Sequence, residues 1–104
     1  MLKSSITMAD HLHNPHPGEI LAIEFMEPMG ISQNALARAL HVAPRRINEI
    51  VNGKRAVTAD TDLRLARYFG VSEGMFLTLQ TEYELMERKR EIGGVLDAIH
   101  PHAA

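Results

Sequence analysis

Residues 32–55 read SQNALARALHVAPRRINEIVNGKR, two short runs of helical periodicity that differ in what they leave on the outside. In the first, Ser32 is placed to cap, because its side-chain oxygen can accept from the free amides of QNALARAL. Leu36, Ala37 and Leu40 then fall at helical spacing and turn towards a core. In the second, Pro44 suits a first-turn position, where its missing amide would have had no partner, and Gly53 can close the helix in a left-handed conformation. At about 100° per residue, Ile47, Ile50 and Val51 share one face. Arg45, Asn48, Glu49 and Asn52 collect opposite, with Arg46 on the flank. His41 and Val42 form the turn between the runs, Ala37 is small enough to let the helices approach, and Ile47 sits where an aliphatic closes the corner. This is the spacing of a helix-turn-helix. A polar outer face is by default a solvated one. Two readings of Asn52 stand side by side, a helix C-terminal cap and a surface contact.

Working outward, the apolar spacing is helical nearly everywhere and no alternating Val, Ile or Thr run reads as a strand, so the expected class is all-α. A first helix is expected from Pro17 to Met26, with Ile20, Leu21, Ile23 and Phe25 inward and Pro28 and Gly30 as its stop. After the connection KRAVTAD, with Thr58 or Asp60 as the cap, a fourth helix runs through LRLARYF to Gly70. A fifth starts after Ser72 and carries Met75, Phe76, Leu79, Tyr83 and Met86 on one side to about Ile92. Gly93 and Gly94 break the pattern there, and VLDAIHPHAA is either a short extra turn or a mobile tail. The organisation expected is an N-terminal extension over 1–16, one domain over 17–92 and a C-terminal tail over 93–104.

The 104 residues leave room for a single core, and 45% hydrophobic with 23% charged residues is the balance of an ordinary globular protein. No apolar run approaches the roughly 18 to 20 residues that span a bilayer, no secretion signal is evident, and the absence of cysteine removes disulfides and thiolate metal sites. The default expectation is a cytoplasmic protein. A net charge of −2 hides an uneven distribution. Between residues 38 and 55, Arg38, Arg45, Arg46, Lys54 and Arg55 face Glu49 alone, while both flanks are acidic. A local positive patch can meet an anion while the rest repels nonspecific contact.

The quoted stretch resembles the helix-turn-helix of the phage-repressor type, the Xre/Cro family. HPGEILAIEFMEPMGIS before it and KRAVTADTDLRLARYFGVSEGMFLTLQTEYEL after it resemble the HigA family of addiction-module antidote proteins, over roughly residues 16 to 85. The sequence departs from the family twice, with His41 at a turn position often held by glycine and Phe76 where many relatives have a Phe-Trp pair. Histidine is among the residues found at positive φ. The resemblance implies a compact five-helix, lambda-repressor-like DNA-binding domain with a helical C-terminal extension. It also implies residue roles. Arg45 and Glu49 are the candidates for base edges, since Arg can grip guanine O6 and N7 and Glu can accept from cytosine N4, with Asn48 assisting. Gln33, Arg46, Asn52, Lys54 and Arg55 are implied as contacts to the DNA backbone.

A repressor of this class reads two half-sites, which implies a homodimer on double-stranded operator DNA. The fifth helix and GGVLDAIH are the expected dimer contact, although Leu79, Tyr83 and Met86 also serve to finish a core. The resemblance further implies neutralisation of a HigB-type toxin that cuts messenger RNA, with Glu19, Glu24, Glu27 and the N-terminal extension as the surface for a basic partner. A solitary repressor without a toxin is the alternative. An enzyme is the rival class, raised by His11, His13, His16, His100 and His102. An enzyme would need a convergent pocket with a carboxylate partner and an orienting group, and neither cluster lies in an expected helix or beside a recognisable nucleophile pattern, so neither a catalytic nor a metal site, nor any cofactor, is assigned.

Overall fold

The computed structural model describes residues 12–103, so His11 and most of the N-terminal extension lie outside the described residues. Among the described residues the chain is helical throughout its ordered elements, with no strand. We number the helices α1 (17–29), α2 (Gln33–Leu40), α3 (Pro44–Val51), α4 (Ala59–Phe69) and α5 (Met75–Asp97). None is long and apolar enough to cross a membrane.

The start of α1 is set by HPG. His16 is the N-cap, and its Nδ1 accepts from the Gly18 amide at 2.9 Å. Pro17 takes the first helical position, where a missing amide costs nothing. His16 is therefore a buried structural residue rather than a loop histidine open to solvent. Gly18 lies against α3 so closely that a Cβ on it would stand 1.8 Å from the Ile50 carbonyl oxygen.

The end of α1 departs from the expected stop at Met26. Its middle, Leu21–Met26, is a π-helix, and the Glu27 amide donates to the Ala22 carbonyl five residues back. A proline ordinarily interrupts a helix by removing one four-residue hydrogen bond and crowding the carbonyl before it. The widened turn shifts the bonding register ahead of Pro28, and a last α-helical turn, Glu27–Met29, carries on over it. Gly30, at φ 63°, ends the helix, with its amide on Glu27 and the Ile31 amide on Met26.

The next two helices follow the sequence closely. Ser32 Oγ accepts from the Ala35 amide at 3.1 Å. His41 stands in the left-handed region at φ 59°, and the Val42 amide returns to the Ala37 carbonyl. At the start of α4, Thr58 holds the N-cap position without a side-chain hydrogen bond, and Asp60 is engaged in ion pairs instead of capping. The fifth helix does not end near Ile92. It bends there, at φ −116° and ψ 17°, and resumes through Gly93 and Gly94 to Asp97. Glycine weakens a helix by only about 1 kcal/mol relative to alanine, which is too little to end one that continues on both sides.

All five helices contribute to one core, through Leu21, Leu36 with Ala37, Ile47 with Ile50, Leu65, and Phe76, each without solvent exposure. Phe25 bridges Phe69 and Phe76 with ring centroids 5.0 and 5.2 Å away. Burying side chains of this size contributes about 1.5–3 kcal/mol each. Two buried polar residues tie the second half together. Asp62 accepts from the Gly74 and Leu77 amides at 2.6 and 3.0 Å and so caps α5 from the side of α4. Gln80 of α5 accepts from the Val57 amide at 2.9 Å, which pins the far end of the basic loop that follows α3.

Candidate nucleic-acid interface

The buried Ile47 and Ile50 fix which way α3 faces, and Gly18 lets α1 press on it from behind. What remains outward is a polar surface built on a rigid helix. Arg45 is wide open to solvent, with 83% of its side chain exposed. Asn48 beside it donates to Gln33 Oε1 at 3.1 Å, so the first residue of α2 and the outer face of α3 meet directly.

Glu49 sits between two arginines. Arg45 Nε donates to one carboxylate oxygen at 2.9 Å, and Arg55 Nε donates to the other at 2.8 Å. These bonds, Arg45's foremost and then Arg55's, hold the carboxyl below its ordinary pKa and keep it ionised. Arg55 reaches back because Gly53, at φ 73°, turns the chain after α3 and lets the Lys54 amide close on the Glu49 carbonyl. Asn52 is the C-cap of α3 by position and remains exposed. Lys54 is exposed in the same loop.

Arg46 lies on the flank and meets Asp60 of α4 at 2.6 Å. The same carboxylate oxygen accepts from Arg64 Nε at 2.9 Å, and the two arginines hold Asp60 below its ordinary pKa, Arg46's hydrogen bond foremost. Arg64 also donates through Nη1 to the Leu40 carbonyl at 2.8 Å and to the His41 carbonyl at 3.3 Å. It thereby satisfies the C-terminal carbonyls of α2 and supports the strained turn, as a cation near a helix C-terminus should.

A helix-turn-helix family model matches residues 23–76. The chain is 60% identical over 70 residues to virulence-associated protein I of Dichelobacter nodosus, across 67% of this chain and 65% of that protein, slightly less than two thirds of its length. It is 35% identical over 72 residues to antitoxin HigA-1 of Vibrio cholerae, across 69% of this chain and 68% of that one. Its structure is similar to that of the Pseudomonas aeruginosa antitoxin HigA solved with the higBA promoter. The TM-score is 0.83 and the identity 40%, over 88% of this chain and all of that one. The chain belongs to the HigA-like helix-turn-helix family.

In this HigA-like chain, hydrogen bonds tie Arg45, Glu49 and Arg55 into one group and Asn48 and Gln33 into a second beside it. Lys54 and Asn52 border it on the loop side, and Arg46 is drawn off towards α4. Sequence reasoning did not single out Arg64, Asp62, Gln80 or the capping role of His16. For Arg64 the signal was present, since Asp60 stands four residues before it and acid-before-base at that spacing favours an ion pair on a helix. For His16 it was a side-chain acceptor directly before a proline at the first helical position. The ties that Asp62 and Gln80 make across the fold have no local signature, because the amides they accept from lie in other segments.

Proposed function

We propose that this chain is an antitoxin and autorepressor. As a homodimer it binds operator DNA through α3 in the major groove, represses its own operon and neutralises a HigB-type toxin that cuts messenger RNA. The observation that carries the DNA reading is the outer face of α3. It sets Arg45, Asn48 and Glu49 on a helix anchored by Ile47 and Ile50, rimmed by Gln33, Arg46, Asn52, Lys54 and Arg55 for the DNA backbone. A protein that reads its own operator works in the cytoplasm.

Dimer formation is supported by α5. The radius of gyration is 17.1 Å, where a compact domain of about 100 residues has about 13 Å, and the excess reflects a fifth helix that runs past the core. Leu85, Met86, Val95 and Leu96 are exposed along it, and Ile99 is exposed just past its end. Toxin contact is supported by α1, where the exposed Glu24 and Glu27 flank the exposed apolar Ile23 and Met29 beside the half-buried Glu19. An acidic surface with apolar centres suits a basic protein partner.

The test is a gel shift on DNA from upstream of the chain's own reading frame, together with copurification of the product of the adjacent frame. A retarded, sequence-specific complex and a copurifying small basic ribonuclease are the expected results. A specific complex with no copurifying partner would leave a solitary repressor, and equal affinity for random DNA would remove the operator reading.

A further inference from the structure

The family resemblance makes Glu49 a candidate for a cytosine, yet its surroundings fit another role. Both of its oxygens are engaged by arginine N–H groups, Arg45 Nε at 2.9 Å on one and Arg55 Nε and Nη2 at 2.8 Å on the other. Its side chain is 24% exposed, against 83% for Arg45 and 45% for Arg55, so it is the least exposed of the three. To accept from a base it would have to give up charge-assisted hydrogen bonds and approach the phosphates as a bare anion.

The arrangement leaves Arg45 well prepared. A bidentate grip on guanine O6 and N7 uses two N–H groups of the guanidinium fork. With Nε held by Glu49, both η nitrogens of Arg45 stay available for the base, and the long side chain is already ordered before DNA arrives. Arg55 is restrained from the other side of the same carboxylate.

The geometry points to Glu49 as a positioning residue, which sets the orientation of Arg45 and Arg55 and touches no base itself. This inference rests on the reading that Arg45 contacts a base. The two fail in different ways.

The experiment measures binding by fluorescence anisotropy on a duplex selected from a random library by the full-length protein. Variants of that duplex substituted at each base pair in turn are measured alongside it. The proteins are the wild type, Arg45→Ala, Glu49→Ala, Glu49→Gln and the double variant Arg45→Ala with Glu49→Ala, each checked for helical content by circular dichroism. Glu49→Ala is expected to lose discrimination of about tenfold at the same base pair as Arg45→Ala. The double variant is expected to discriminate no worse than Arg45→Ala alone. Glu49→Gln, which keeps an acceptor for Nε, is expected to recover part of the loss. Loss at a different base pair from Arg45→Ala, adding to it in the double variant, would overturn the proposal and make Glu49 a base reader. Full discrimination retained by Arg45→Ala would overturn the underlying reading, and the proposal with it. Should Glu49→Ala prove poorly folded, Glu49→Gln and Arg45→Ala decide between the same outcomes.

Discussion

Gly18 and Ile50 meet with no room for a side chain between them: a Cβ on Gly18 would lie 1.8 Å from the Ile50 carbonyl oxygen and 2.9 Å from Val51 Cα. The neighbour is backbone, which cannot rotate away. Gly18→Ala is therefore expected to force α1 off α3, at a cost of about 1–3 kcal/mol or more by the usual scale of overpacking. A thermal melt should show the midpoint falling by several degrees, and an unchanged midpoint would show that the two helices can part freely.

His16 gives the fold a dependence on pH. Burial is the main cause holding its pKa below the ordinary 6.5, partly opposed by the charges of Glu19 and Glu84. The folded state thus favours the neutral ring, whose Nδ1 accepts from Gly18. Its contribution is complete above about pH 6.5 and is lost as the pH falls from there through the folded value. Urea midpoints at pH 7.5 and 5.5 should differ more for the wild type than for His16→Asn, which keeps a capping oxygen and does not titrate. His16→Ala should lose about 0.5–2 kcal/mol even at the higher pH.

Arg45 and Lys54 should separate in a binding assay. Arg45→Ala is expected to lose about 1–3 kcal/mol of preference for the operator over random duplexes. Lys54→Ala should weaken every sequence alike and lower the slope of log affinity against log salt by about one. Equal losses on both kinds of DNA for both variants would refute the division of roles.

Asp60 holds the Arg46 guanidinium that the proposed function assigns to a DNA phosphate. Asp60→Asn removes the negative partner at 2.6 Å and should strengthen binding to random DNA while steepening its salt dependence. Stability should change little, because the pair lies at the surface. Anisotropy titrations at two salt concentrations measure the first effect and a urea curve the second.

Where the fold was written locally, the sequence could be read. The spacing of Ile47 and Ile50, the proline and glycine around α3, the Ser32 cap and the tolerance of His41 for the left-handed turn all act within a few residues, and each appears in the structure. Pro28 misled because a proline stop presumes a regular four-residue ladder, and the π turn before it shifts that ladder. Gly93 and Gly94 misled because absent side chains weaken a helix without ending it. At the candidate site, the exposure of Arg45 followed from the helical wheel. The diversion of Arg46 did not, since Asp60 lies fourteen residues away and arrives only when α4 packs against the turn. The grip of Arg55 on Glu49 likewise waits for Gly53 to fold the loop back.

The segment before α1 also changes where the protein can be shortened. His16 caps the first helix, packs its ring edge-on against Tyr83 with centroids 4.9 Å apart, and lies 3.8 Å from where a Cβ of Gly53 would stand. Just upstream, Asn14 donates to the Tyr83 carbonyl at 3.0 Å, and Arg90 donates to the Leu12 carbonyl. These few residues of irregular chain act as a strap that joins the first helix, the end of α3 and the long final helix. A truncated form beginning at the helical Pro17 would keep every helix and lose the fastening between them, so a faithful version of this domain has to retain the chain from Leu12 onward.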